Sequence, residues 1–173
     1  MAKNIRENLL FEGLKQEEVE EFLSSLPEPM RLKKGEMLWR QNDPGNSMHL
    51  LVSGKMEVLI KSKNTDDAVI AVIEAGAVIG EVCVFGQRIR SATVRAAADS
   101  ELLVVDGQKF EQRILQRDTI ALRMSYNVAK LLTHRLIMAN DLISNLQKIS
   151  DKTVVKSEVE HYRQRFFDES LFN

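Results

Sequence analysis

Glu81 and Arg90 are the residues whose types and spacing point most directly to chemistry. They lie within Gly80-Glu81-Val82-Cys83-Val84-Phe85-Gly86-Gln87-Arg88-Ile89-Arg90-Ser91-Ala92-Thr93. A guanidinium is a planar fork of donors suited to phosphate oxygens, and an ionised carboxylate only accepts, as from a sugar hydroxyl. Backbone N–H groups between the two complete an anion cradle where the segment makes a short helical turn. The pair therefore suits a small ligand carrying one phosphate negative charge and a ribose-type hydroxyl. A site of this kind holds a ligand and does not turn it over. The same two residues also permit a second reading, a structural ion pair with no ligand.

Other chemistries find less support. His49, His134 and His161 are scattered without paired spacing, so no metal cluster or catalytic arrangement is expected. A haem ligand would have only His134, on a helical stretch, to supply it. The single Cys83 forms no internal disulfide and holds no cluster alone, and it reads as a small core residue. The net charge of −1 gives no bulk attraction to nucleic acid or anionic membrane. No apolar run reaches membrane-spanning length, and Met1-Ala2-Lys3-Asn4-Ile5-Arg6 leads into no signal-type block. A cytoplasmic, non-enzymatic protein is the expectation.

The elements that must position Glu81 and Arg90 follow from the turn residues. Seven of the eight glycines lie between Gly35 and Gly107, and no proline follows Pro44. Turn signals recur at Lys33-Lys34-Gly35, at Asn42 to Asn46, at Ser53-Gly54, at Lys63 to Asp67 and at Glu74-Ala75-Gly76. Between them lie short strand-like runs at Met48–Val52, Lys55–Lys61, Ala68–Ile73, Thr93–Ala97 and Glu101–Val105. Strands this short and this regularly spaced predict a mainly β fold, an antiparallel sandwich, jelly roll or barrel. Helices flank it. Leu14, Val19, Phe22, Leu23 and Leu26 take helical spacing before Pro27, and Phe110, Ile114 and Leu115 open another helical stretch.

A longer helix is predicted from about Thr119 to Ile149. Its apolar positions are Val128, Leu131, Leu132, Leu136, Met138, Ala139, Leu142, Ile143, Leu146 and Ile149. The stripe is wide enough for one flank to pack on the β domain and the other on a partner helix, which predicts a homodimer. After Ser150, Val155, Val159, Tyr162 and Phe166 fall at helical intervals, with Phe167, Leu171 and Phe172 adding apolar weight. The domain division expected is 1–150 for the β-rich domain with its helices and 151–173 for a short amphipathic tail.

From Leu10 to about Ile149 the chain resembles the cyclic-nucleotide-binding domain of bacterial catabolite-activator-type regulators and kinase regulatory subunits. The likeness rests on Leu10-Phe11-Glu12-Gly13-Leu14, on Lys34-Gly35-Glu36 followed by Gln41-Asn42-Asp43-Pro44-Gly45, and on Ser53-Gly54-Lys55-Met56-Glu57-Val58. Its strongest part is Gly80-Glu81 with Arg90-Ser91-Ala92-Thr93, which is similar to the family's phosphate-binding cassette. The resemblance implies an antiparallel double-stranded β-helix, or jelly roll, followed by a long C-terminal helix. It implies a cyclic nucleotide, cAMP or cGMP, as ligand, with no metal and no further cofactor. By that likeness Glu81 accepts from the ribose 2′-OH, Arg90 binds the exocyclic phosphate oxygens, and Gly80 permits the close turn. The backbone around Val82, Cys83, Ser91 and Ala92 completes the ligand contacts, with the Ser91 hydroxyl adding one. Val72, Ile79 and Val82 are implied to line the base or sugar.

The chain departs from the family pattern in three places. Ile89 stands where many members have Pro or a polar residue, and Cys83-Val84 replace a commoner Ala or Gly followed by Leu. Ala139-Asn140 occupies the region where the bacterial activator has a hydroxyl pair meeting the purine, which makes Asn140 the candidate base contact. The 23 residues after Ser150 carry five acidic and four basic side chains. They are too few for a helix-turn-helix module, so no DNA binding by this chain alone is expected. Two functions remain open at this point: a nucleotide sensor signalling through its C-terminal helix to a protein effector, or a degenerate domain of the same fold serving as a ligand-free interaction module.

Overall fold

Among the described residues eight short strands form two antiparallel four-stranded sheets, and the order of strands is what brings the cassette together. A computed structural model describes residues 8–60, 68–86 and 88–149. The turn expected at Lys63 to Asp67 and the tail of 151–173 lie outside the described residues, as do the side chains of Leu142, Ile143, Leu146 and Ile149. One sheet runs β1 (Met30–Leu32), β8 (Ser100–Asp106), β3 (Ser47–Ser53), β6 (Val78–Ile79). The other runs β2 (Met37–Trp39), β7 (Thr93–Ala96), β4 (Lys55–Ile60), β5 (Ala68–Glu74). Of these pairings only β4 with β5 joins strands consecutive in the chain; the others join distant strands, as a jelly roll requires.

The core lies between the sheets. Leu51, Met56, Ile79, Val94, Ala96 and Leu102 form its buried cluster, with Leu32, Leu38, Trp39, Val58 and Ile73 packed against it. Successive strand side chains point to opposite faces, so Met48 and Leu50 of β3 are buried on the other side from Leu51. That outer face belongs with Phe11, Phe22, Phe110 and Phe85, whose rings meet edge to face at 6.0 to 6.5 Å. The helices there are α1 (Gln16–Ser24) and α3 (Gly107–Leu115), both within the stretches read as helical from sequence.

A regular two-residue alternation would place Met56, Val58 and Ile60 of β4 on one face. The structure buries Met56 and Leu59 instead and leaves Ile60 exposed. The register against β5 shifts between Val58 and Leu59, where Ile70 is the extra residue of β5.

Helix α4 runs Thr119–Ile149, as expected. Asp118 caps it, its carboxylate accepting from the Ile120 and Ala121 amides at 2.9 and 3.0 Å while Arg113 Nε holds it at 2.6 Å. The first turns bury Ile120, Ala121, Met124 and Val128. Asn127, also buried, donates from Nδ2 to the carbonyls of Leu10 and Glu12, both at 2.9 Å. The chain divides into two compact units, Met1–Val128 and Ala129–Asn173. In the second, Leu136, Ile137 and Met138 are exposed apolar positions. No helix among the described residues is long and apolar enough to cross a membrane.

Candidate phosphate-binding site

The head of the cassette is set by Gly80. Strand β6 delivers the chain to it at φ +80°, a left-handed conformation that side chains rarely adopt. Space makes the same demand, because a Cβ there would lie 2.7 Å from Arg90 Nη1 and 2.8 Å from the Ser47 carbonyl oxygen. The short helix α2 (Glu81–Phe85) follows, so the segment does make the helical turn the sequence reading asked for. Glu81 and Cys83 are buried, 2% and 1% exposed, while Val82 and Phe85 lie on the surface. The Cys83 thiol donates to the Gly45 carbonyl at 2.8 Å, and the Cys83 amide is engaged by Gly80 O at 3.1 Å.

The other end is set by an antiparallel backbone pairing. The amide of Asn42 donates to Arg90 O, that of Arg90 to Asp43 O, and that of Gly45 to Arg88 O, each at 2.9 Å, with Pro44 bridging Ile89. The Gln41-Asn42-Asp43-Pro44-Gly45 turn thus splints residues 88–90. Arg90 enters the interior from this splint and is 6% exposed. Its Nη1 donates to Ser47 O at 2.6 Å and its Nη2 to Ser47 Oγ at 2.7 Å. Its Cζ lies 3.8 Å from the centroid of the Trp39 ring. Gly45 is needed for this approach, since a Cβ would fall 2.3 Å from Arg90 Nε.

Among the described residues the guanidinium is held by Ser47 and Trp39, with the Asp43 carboxylate near enough to favour its charged form. Burial pulls the guanidinium's pKa below its ordinary value, with Cys83 and Asp43 acting against that. An arginine stays charged nonetheless. Only two of its five N–H groups are spent on Ser47, so three remain to meet an anion.

Of the residues named from sequence, Gly80, Cys83 and Arg90 converge around Gly45 and Ser47. Glu81 opens α2 beside them, and Ala92 joins through its carbonyl, which accepts from Trp39 Nε1 at 3.0 Å. Ser91 is exposed. Ile79 belongs to the core cluster, and Val72 sits 56% exposed on the edge strand β5. Asn140 is an exposed residue of α4 in the second unit. Ser47, Gly45 and Trp39 were not singled out from sequence as site residues. Gly45 carried a signal as a turn glycine, and Trp39 as the one tryptophan of the chain; Ser47 carried none.

A glycine-headed helical turn, a buried guanidinium at its far end and a two-sheet antiparallel roll define a domain of the cyclic-nucleotide-binding type. Residues 29–117 match the family described as cyclic nucleotide-binding domain, and the chain belongs to that family. Among particular relatives, the cyclic AMP receptor protein of Thermus thermophilus is 30% identical over 138 residues, 78% of this chain and 62% of that protein. The cGMP-dependent protein kinase egl-4 of Caenorhabditis briggsae is 26% identical over 147 residues, 85% of this chain and 18% of the kinase. The crystal structure of the Thermus thermophilus catabolite activator protein superposes with a TM-score of 0.72 at 27% identity, covering 81% of this chain and 63% of that one. The chain therefore spans less than two thirds of the length of these curated relatives.

Proposed function

We propose that the chain is a sensor domain that binds cAMP or cGMP in the cassette and passes the signal on through α4. The observation that carries the reading is Arg90, a buried guanidinium held by Ser47 and Trp39 with N–H groups left to meet an anion. Burying a charge is costly, and a site that retains one gains by admitting an anion. A cyclic phosphate supplies one negative charge at the three free N–H groups. Glu81, buried at the start of α2, takes the ribose 2′-OH. Gly80, Val82, Cys83, Ser91 and Ala92 line the phosphate and sugar.

Signalling follows from the division within α4. Its first turns are packed and capped, while the apolar positions Leu136, Ile137 and Met138 of the second unit are exposed and suit a partner helix of a second copy. A ligand that makes different contacts in two arrangements of this helix biases their populations. The relatives named above include both a cyclic AMP receptor protein and a cGMP-dependent kinase, so both nucleotides are candidates. Isothermal titration with cAMP and with cGMP tests the reading, beside Arg90→Ala. Micromolar binding of one nucleotide, lost in the variant, supports it. Absence of binding to either leaves the degenerate interaction module as the better account.

A further inference from the structure

We propose that Trp39 is a positioning residue for Arg90, its indole fixing the plane in which the guanidinium meets the phosphate. This rests on the cyclic-nucleotide reading above and adds to it a residue outside the cassette.

The inward aim of Trp39 comes from a break in strand register. Met37 pairs with Arg95 and Trp39 with Val94, so β2 advances two residues while β7 advances one. A bulge of this kind re-aims a side chain. Its result here is that the adjacent Leu38 and Trp39 both pack on the interior cluster, which strict alternation forbids. Once inside, the indole touches three parts of the site. Its face lies under the Arg90 Cζ at 3.8 Å. Its Nε1 donates to Ala92 O at 3.0 Å, and its Cη2 lies 3.1 Å from where a Cβ on Gly80 would sit. One side chain therefore contacts the head, the end and the cation of the cassette.

Ser47 and Trp39 divide the constraint on Arg90. The two Ser47 oxygens fix where the guanidinium ends, and the ring fixes its tilt, as aromatic faces do for this planar cation. A fork oriented in advance spends no side-chain entropy when the anion arrives. His49 supports the arrangement, its ring centroid 5.1 Å from that of Trp39. Burial, and then Arg90, keep its imidazole neutral, so no second cation competes for the indole.

The test is a double-mutant cycle read by calorimetric titration of the full chain with cAMP and cGMP. Trp39→Phe keeps an aromatic face and is expected to bind within about threefold of the native chain, whereas Trp39→Leu is expected to lose about tenfold. In an Arg90→Lys background, where no plane remains to be set, Trp39→Leu is expected to cost less than about twofold. A tenfold loss in both backgrounds means that Trp39 acts through the fold and overturns the proposal. Full affinity of Trp39→Leu overturns it too while leaving the nucleotide reading intact. If the native chain binds neither nucleotide, both readings fall. Should Trp39→Leu not fold, the native protein still decides, because Trp39 is its sole tryptophan. Its emission is expected to change on saturation with ligand and to change less in Arg90→Lys, and an unaltered spectrum at saturation rejects the role.

Discussion

Ser47 accepts from both terminal nitrogens of Arg90, through its carbonyl oxygen at 2.6 Å and its hydroxyl at 2.7 Å. One residue of β3 therefore holds the end of the guanidinium, and only the hydroxyl contact can be removed by substitution. Ser47→Ala is expected to weaken cyclic-nucleotide binding about tenfold, the equivalent of one charge-assisted hydrogen bond, measured by titration calorimetry. An undiminished affinity contradicts the assignment of Ser47 as the anchor.

Gly45 and Gly80 respond differently to the same change. At Gly45 an added Cβ meets the guanidinium tip, which can swing away, so Gly45→Ala is expected to lose ligand binding while melting near the native temperature. At Gly80 the Cβ meets the Ser47 backbone oxygen at 2.8 Å and the residue sits at φ +80°. Gly80→Ala should therefore lose both affinity and stability, the latter by roughly 1–3 kcal/mol. Thermal melts beside titrations separate the two, and equal melting losses run against this distinction.

His49 gives the fold a pH dependence of calculable sign. It is 3% exposed, with Nδ1 unpartnered among the described residues, and its pKa is lowered to about 4 by burial and by Arg90. The unfolded chain takes up its proton near the ordinary 6.5. Between those values the unfolded state binds more protons, so the contribution is complete above about pH 6.5 and falls away toward pH 4. It amounts to about 3 kcal/mol at most. Urea unfolding at pH 7, 5.5 and 4.5 should show a shallower decline for His49→Gln, and parallel curves would count against it.

Asn127 ties α4 to the opening of the domain through two carbonyls. Asn127→Ala leaves Leu10 O and Glu12 O without these donors in a buried setting and is expected to cost about 1–3 kcal/mol in chemical denaturation. A loss under about 0.5 kcal/mol shows that water replaces the amide.

How far the sequence revealed this molecule depended on element length and on chain distance. The five strands read between turn signals are all present, with no end shifted by more than one residue. Strands β1, β2 and β6, of three, three and two residues, are too short to show any period. In β4 burial falls on Met56 and Leu59, off the two-residue alternation of a regular strand. Gly80, Glu81 and Arg90 stood out because their types carry chemistry. Trp39, Gly45 and Ser47 did not, because they reach Arg90 only when the turn at 42–45 docks on residues 88–90. A single sequence says which segments turn, and not which turns lie side by side.

The bridge between Pro44 and Ile89 joins positions 45 apart in the chain. Closing so long a loop carries an entropic penalty that only the assembled sheets can offset. A partly folded chain therefore presents no anion site, and affinity appears all at once with the native state. Cyclic nucleotide should consequently protect backbone amides from hydrogen exchange across both sheets, not only around the cassette.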